Sequence, residues 1–299
     1  MERNGLDISA YQKGINFNAI KNAGVEFLIV RAGFTGWGTG VSYNVDECFE
    51  TFYKQAKDTG IPVGAYWYSC ANTYDKGVAE ANYMYDKCLK GKQFEYPIYI
   101  DVEDTHHQVN NKAGVTEAVK GFCETLENKG YYVGVYGSDI SGFKEKMNLS
   151  DLDAYDKWVA IYGAKPGYVK SYGMWQFTSK NIINGYNGYL DANVAYKDYP
   201  TIMKNAGLNG YSKTSDTQKP APTTKQTLYL PETAKSWNVY PMDKQPVVGN
   251  ECGKLLPSKF GGLTYDILGW TTKNTAIIKT RDFGKVQIYV AQSTGAIIS

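Results

Sequence analysis

Hydrophobic positions in residues 4–200 switch between two periods. Short runs rich in β-branched and aromatic residues, bounded by Gly, Pro or Asn, predict strands at Gly5–Ser9, Glu26–Gly33, Ile61–Tyr68, Tyr96–Glu103, Tyr131–Gly137, Lys157–Tyr162, Gly173–Thr178 and Tyr189–Val194. Between them, apolar residues recur at helical spacing. Val78, Ala81, Tyr85, Cys88 and Leu89 predict a helix over 77–90, and Val115, Ala118, Val119, Phe122 and Leu126 one over 114–129. Val45, Phe49, Phe52 and Ala56 predict a third over 44–59. Alternating strands and helices imply a mainly parallel sheet with helices outside it. The expected class is therefore α/β: an irregular (β/α) barrel with about eight strands, whose last third leaves little room for helices.

The pattern changes after residue 204. Residues 205–226 are rich in Ser, Thr, Lys, Gly and Pro and nearly free of bulky apolar residues, which is linker composition. From 227 to 299 short alternating runs return, punctuated by Gly and Pro, and predict a small all-β barrel or sandwich. The expected organisation is a barrel over 1–204, a linker over 205–226 and an all-β domain over 227–299. In the last of these, Phe260–Trp270 sets aromatics beside glycines. That pattern suits a core strand after a tight turn, or a shallow ligand groove.

Composition removes several function classes. The net charge of +2 and the absence of any Lys/Arg block give no footprint for nucleic acid. No apolar run reaches the ~18 residues of a membrane span, so no membrane insertion is expected. The five cysteines are odd in number, widely spaced and free of any C-x-x-C pair, as in a chain with reduced thiols. His106 and His107 are the only two histidines and stand side by side, a poor supply of zinc ligands, so neither metal nor cofactor is expected. The chain carries 26 Tyr and 6 Trp, residues that pair an apolar face with a polar handle and suit sugar rings as well as cores.

The segment Tyr96–Asp104 concentrates the candidate chemistry. Strand alternation puts Ile98 and Ile100 on one face and Tyr99, Asp101 and Glu103 on the other, with the Asp101 and Glu103 Cα atoms roughly 6–7 Å apart. Two carboxylates at the end of an apolar strand are costly unless solvated, hydrogen-bonded or working. Taken alone, the spacing fits surface acids at a strand end as well as a catalytic pair. Barrel active sites sit at the C-terminal strand ends. There the sequence offers Asp7, Arg31, Tyr66, Tyr68, Asp101, Glu103, Tyr136, Gln176 and Asp191. Trp67 alternates with Tyr66 and Tyr68 and is expected in the core. Trp175 is a candidate sugar platform or a core residue.

Four motifs in order then carry a resemblance: Gly5–Ser9 (GLDIS), Gly64–Tyr68 (GAYWY), Tyr96–Glu103 (YPIYIDVE), and Trp175–Thr178 (WQFT) followed by Gly188–Asn193 (GYLDAN). Over about residues 4–198 the chain resembles glycoside hydrolase family 25, the N-acetylmuramidases (lysozymes) of phage and bacteria. The resemblance implies cleavage, with net retention, of the β-1,4 bond between N-acetylmuramic acid and N-acetylglucosamine. It makes Glu103 the general acid/base, Asp101 its neighbouring carboxylate, Asp7 and Asp191 the two further acids, and Tyr66 a tyrosine near the reacting sugar. Asp101 is then either a nucleophile or the group that orients the substrate's acetamido. Residues 227–299 resemble the Src-homology-3-like cell-wall-binding modules of clostridial phage endolysins. The implied partners are peptidoglycan and a cell-wall glycopolymer.

Competing classes fit less well. A non-catalytic sugar-binding barrel would lose its strand-end acids, and all four are present. A chitinase would carry a longer acidic run, D-x-x-D-x-D-x-E. A peptidoglycan amidase or peptidase would need zinc ligands or a Cys/His pair. Met1–Asp7 lacks the apolar core of a signal peptide. The expectation is a phage endolysin made in the host cytoplasm that reaches the wall after membrane permeabilisation, with a bacterial autolysin of the same chemistry as the alternative.

Overall fold

The first strand, β1 (Arg3–Ile8), sets the pattern of the larger unit: Leu6 and Ile8 face outward into the helix layer, and Asp7 faces inward. A computed structural model describes residues 2–36, 42–212, 226–272, 274–291 and 294–299. The chain divides into two compact units, Met1–Ser215 and Asp216–Ser299.

In the first unit β2 (Phe27–Thr35), β4 (Val63–Tyr68), β5 (Ile98–Asp101), β6 (Val133–Ser138), β7 (Asp156–Ala160) and β8 (Met174–Asn181) follow β1 in parallel. β9 (Leu190–Ala195) runs antiparallel to both β8 and β1 and closes an eight-stranded barrel. The irregularity has a local cause. No α-helix intervenes between β7 and β8, and the short β8–β9 connection can only reverse the chain.

Helices α1 (Phe17–Asn22), α2 (Phe49–Thr59), α3 (Tyr74–Met84) and α4 (Lys112–Glu127) lie outside the barrel strands, and α5 (Tyr199–Ala206) follows β9. α4 begins where Asn111 Oδ1 accepts the Gly114 N–H at 3.1 Å. It buries Val115, Ala118, Val119, Phe122, Cys123 and Leu126. α3 and α4 approach closely because Gly77 and Gly121 face each other's backbones. A Cβ on Gly77 would stand 1.9 Å from the Ala118 carbonyl oxygen.

Strand alternation sorts the core into two clusters. Leu28, Val30, Val63, Ala65, Trp67, Ile98, Ile100, Val133 and Val135 pack outward under the helices. Phe27, Ile29, Tyr99, Tyr136, Trp158 and Met174 fill the barrel interior. Trp67 is fully buried, as its alternation predicts, and its indole N–H donates to Thr35 Oγ1 at 3.1 Å.

Two expectations need correction. The helix expected from residue 44 starts at Phe49; Tyr43–Val45 instead forms β3, an antiparallel partner of β2. α1 and α5, too short to show a sustained period, are absent from the sequence reading. The polar run from residue 205 also begins inside packed structure. Asn209 is buried, receives the Tyr132 N–H at 2.7 Å and donates to the Tyr96 carbonyl at 2.8 Å. Residues 213–225, the rest of the expected linker up to Gln226, lie outside the described residues.

The second unit is all-β. One sheet has the order β13-β10-β17 and the other β12-β11-β16-β15-β14. These are β10 (Thr227–Leu230), β11 (Trp237–Tyr240), β12 (Gly253–Leu255), β13 (Leu263–Asp266), β14 (Gly269–Thr272), β15 (Thr275–Thr280), β16 (Gly284–Tyr289) and β17 (Ile297–Ile298). Leu228, Leu230, Trp237, Val239, Ile278, Val286 and Ile288 form its core. Within Phe260–Trp270, Leu263 and Tyr265 pack on this core, whereas Phe260 and Trp270 are exposed.

Candidate active site

The inward-facing residues at the C-terminal ends of the parallel strands line an open cleft of about 300 Å³. Asp7, Arg31, Tyr66, Tyr68, Asp101, Glu103 and Asp191 all reach it, joined by Ser9, Tyr11, Gln12 and Phe34. β5 ends at Asp101, so Glu103 lies two residues past the strand but keeps the inward phase. Asp7 and Asp191 lie directly opposite each other across the β1–β9 pair. Register therefore gathers four carboxyl groups from three strands.

Their polar supports differ. Asp7 Oδ2 accepts Gln176 Nε2 at 2.9 Å and Asn193 Nδ2 at 2.8 Å. Gln176 Oε1 in turn accepts the hydroxyls of Tyr136 at 3.0 Å and Tyr162 at 2.8 Å. Asn193 Oδ1 accepts the Trp158 indole N–H at 2.8 Å. This chain fixes Asp7 and orients both amides. Asp101 is buried, and its Oδ1 has no hydrogen-bond partner among the described residues. Glu103 is exposed to solvent in the open cleft, although protein groups surround its carboxyl.

All four acids hold their protons more tightly than free carboxyls. Burial and the neighbouring Asp191 raise Asp7 to about 7, against the lowering bonds from Asn193 and Gln176. Burial, Glu103 and Asp7 push Asp101 well above the carboxylate range. Burial raises Glu103, opposed by the Lys146 charge and a hydrogen bond with Tyr136. Burial raises Asp191. Four carboxyls this close disfavour one another's ionisation, so the cleft favours a partly protonated cluster. Glu103 is the member best placed to exchange a proton with a ligand.

Arg31 is a fixed cation that lines the cleft. Its Nε donates to Asp46 Oδ2 at 2.7 Å, and its guanidinium lies 5.1 Å from the Tyr11 ring centroid and 5.3 Å from that of Phe34. Asp46 also receives the backbone N–H groups of Ala10 and Cys48. Three candidates, Tyr136, Gln176 and Trp175, are not among the cleft-lining residues. Tyr136 and Gln176 stand in the hydrogen-bond chain behind Asp7, and the Trp175 indole N–H donates to the Ile161 carbonyl at 3.0 Å.

Several supporting residues escaped the sequence reading. Asn193 shares the phase of Asp191, two residues away, and alternation alone could have found it. Asp46 was hidden inside a falsely extended helix. Tyr162 stands two residues past β7 in phase with Trp158 and Ala160, so alternation along the expected strand could have found it. Lys146 follows irregular helical turns after β6 that show no sustained period. Glu80 is a buried carboxyl on α3 that accepts Thr35 Oγ1 at 2.5 Å, Ser69 Oγ at 2.6 Å and the Cys70 N–H at 3.1 Å. Burial raises it to about 7 despite those bonds.

An eight-stranded barrel with acids gathered at its open end is the architecture of a glycoside-hydrolase barrel. The chain belongs to glycosyl hydrolases family 25, whose pattern matches residues 6–186. It is 31% identical over 188 residues to an autolytic lysozyme of Clostridium acetobutylicum, across 62% of this chain and 54% of that one. It is 32% identical over 248 residues to an endolysin of Listeria phage A511, across 81% of this chain and 66% of that one. The chain thus spans between about half and two thirds of the length of these two relatives. The catalytic domain of an endolysin from bacteriophage P40 of Listeria monocytogenes has a similar fold, with a TM-score of 0.55 at 27% identity over 68% of this chain and 97% of that one.

Proposed function

We propose that the protein is a peptidoglycan hydrolase that cleaves the β-1,4 bond between N-acetylmuramic acid and N-acetylglucosamine with net retention of configuration. The convergence of Asp7, Asp101, Glu103 and Asp191 on one open cleft carries this reading. Glu103 donates a proton to the glycosidic oxygen and then, as a carboxylate, activates the water that completes hydrolysis. Asp101, with one oxygen free of hydrogen bonds among the described residues, faces the anomeric carbon or the acetamido group of the same sugar. The negative charge that the partly protonated cluster retains stabilises the oxocarbenium-like transition state. Tyr66 and Tyr68 pack along the sugar, and Arg31 binds its polar substituents. Tyr136 and Gln176 hold Glu103 and Asp7 in place, and Trp175 braces the strand behind them. No step uses a metal.

The second unit serves as the wall-binding module. Leu255, Phe260, Leu263 and Tyr265 line a groove of about 480 Å³ with Lys254, Lys259 and the ion-paired Arg281 and Asp282, a cationic excess that suits an anionic glycopolymer. Synthesis in the cytoplasm with action on the wall follows from this reading, in a phage endolysin or in an autolysin alike. The test is the new reducing end made from purified peptidoglycan. Muramic acid is the expected product; glucosamine, or a cleaved peptide bond, would overturn the proposal.

A further inference from the structure

One cluster lies outside the cleft and takes no part in the chemistry above. Cys70 follows the end of β4, and Asp104 and His107 belong to the segment that leaves β5 after Glu103. One donor atom from each lies within 4.8 Å of the other two. Cys70 Sγ is 3.4 Å from Asp104 Oδ1, and His107 Nδ1 is 3.5 Å from Asp104 Oδ2. Tetrahedral zinc, with metal–ligand bonds of about 2.0–2.3 Å, separates its ligand atoms by roughly 3.3–3.6 Å. Both separations fall in this range, one to each oxygen of Asp104, and the Cys70 and His107 donor atoms lie within 4.8 Å of each other.

A second observation points the same way. Among the described residues His107 Nδ1 is buried and makes no hydrogen bond, Asp104 Oδ2 at 3.5 Å being its ion-pair contact, and a buried polar nitrogen is costly unless something engages it. The carboxylate is already oriented, since Asp104 Oδ2 accepts the backbone N–H groups of His106 and His107. Such outer bonds commonly hold a metal-binding carboxylate in place. The donor set of one thiolate, one imidazole and one carboxylate favours zinc over magnesium or calcium, which take oxygen ligands.

We propose that Cys70, Asp104 and His107 bind one zinc ion, with water completing the tetrahedron from the partly exposed side of His107. On binding, the Cys70 thiol loses its proton to solvent and the S–H···O contact with Asp104 gives way to two bonds to the metal. His107 binds through neutral Nδ1 and keeps its proton on Nε2. The ion ties the exit of β4, which carries Tyr68, to the exit of β5, which carries Glu103. Its role is to fasten these loops, and it makes no contact with the reacting sugar. The site does not depend on the glycosidase reading.

Cobalt(II) is the probe, because a thiolate ligand gives it a charge-transfer band in the near ultraviolet. The full chain, stripped with a chelator, should bind one equivalent of Co²⁺ with that band, and Zn²⁺ should bleach it. Cys70→Ser should abolish the band. His107→Gln should weaken Co²⁺ binding by at least about tenfold, the minimum typical of losing even an outer-shell partner. Cys252→Ser, which removes the exposed thiol of the second unit, should leave the band intact. Zinc should also raise the thermal midpoint of the wild type and not that of His107→Gln. If Cys70→Ser does not fold, the His107 and Cys252 variants decide the matter. No band in folded wild type, a band lost in Cys252→Ser, or unchanged Co²⁺ affinity in His107→Gln would each overturn the proposal.

Discussion

The two ends of the barrel treat a buried acid in opposite ways. At the end where the parallel strands begin, Asp156 is enclosed, and every oxygen is used. Its Oδ2 accepts the hydroxyls of Tyr199 at 2.8 Å and Tyr132 at 3.1 Å and the Lys197 ammonium at 3.0 Å. Its Oδ1 accepts the Lys157 N–H at 2.8 Å. At the end where the strands finish, four carboxyls crowd one cleft, Asp101 Oδ1 has no hydrogen-bond partner among the described residues, and all four are driven toward the protonated form. A satisfied acid contributes to stability. A crowded and under-satisfied one reduces it, and such sites persist where function requires them. The contrast therefore assigns stability to the closed end and chemistry to the open end.

The largest expected effect lies at the open end. Glu103→Gln keeps the side chain's size but has no proton to donate, so kcat/KM on peptidoglycan should fall by about 10²–10⁴-fold. The thermal midpoint should hardly change, because Glu103 is exposed to solvent. Activity within a few-fold of wild type would remove Glu103 from the mechanism. The mirror experiment is Asp156→Ala. It strands Lys197 and two tyrosine hydroxyls and should cost about 2–4 kcal/mol in urea unfolding, with kcat/KM of the folded protein unchanged. A specific loss of turnover without loss of stability would break the division between the two ends.

Asp7→Asn sharpens the comparison from the other side. An acid whose pKa is raised on folding adds stability at low pH, where both states are protonated. That contribution is lost as pH rises from the unfolded value near 3.8 to the folded value of about 7. Asparagine never ionises and still accepts from Gln176 and Asn193. The variant should therefore match wild type in stability below that window and exceed it by roughly 1–3 kcal/mol above pH 7, while losing activity. Urea melts at several pH values check this. A destabilised variant at neutral pH would show that Asp7 is a structural acid like Asp156.

The open end was the more legible of the two in the sequence. Period-two alternation at strand ends leaves a signal that needs no tertiary knowledge, and Asp7, Arg31, Tyr66, Asp101 and Asp191 all appeared through it. The closed end did not. Asp156, Tyr132 and Tyr199 come from three elements joined only by the fold, and no local pattern links them. The same holds for Asp46 beneath Arg31 and Glu80 on α3. Asp46 was lost because Val45, Phe49, Phe52 and Ala56 imitate one helical face across a strand–helix boundary. The protonation of the cluster was also beyond reach. Spacing gave two carboxylates on one face, but the field on Asp101 depends on Asp7, from a strand 94 residues away in the chain.

The central claim is that Glu103 supplies the proton for glycosidic cleavage at the open end. It is tested most directly by comparing kcat/KM of wild type and Glu103→Gln on two muramyl glycosides that differ only in leaving group. One releases a sugar alcohol that must be protonated; the other releases a dinitrophenolate that need not be. If Glu103 is the acid, the variant's deficit is about 10²–10⁴-fold on the first substrate and shrinks to within a few-fold on the second. An equal deficit on both substrates would contradict the account.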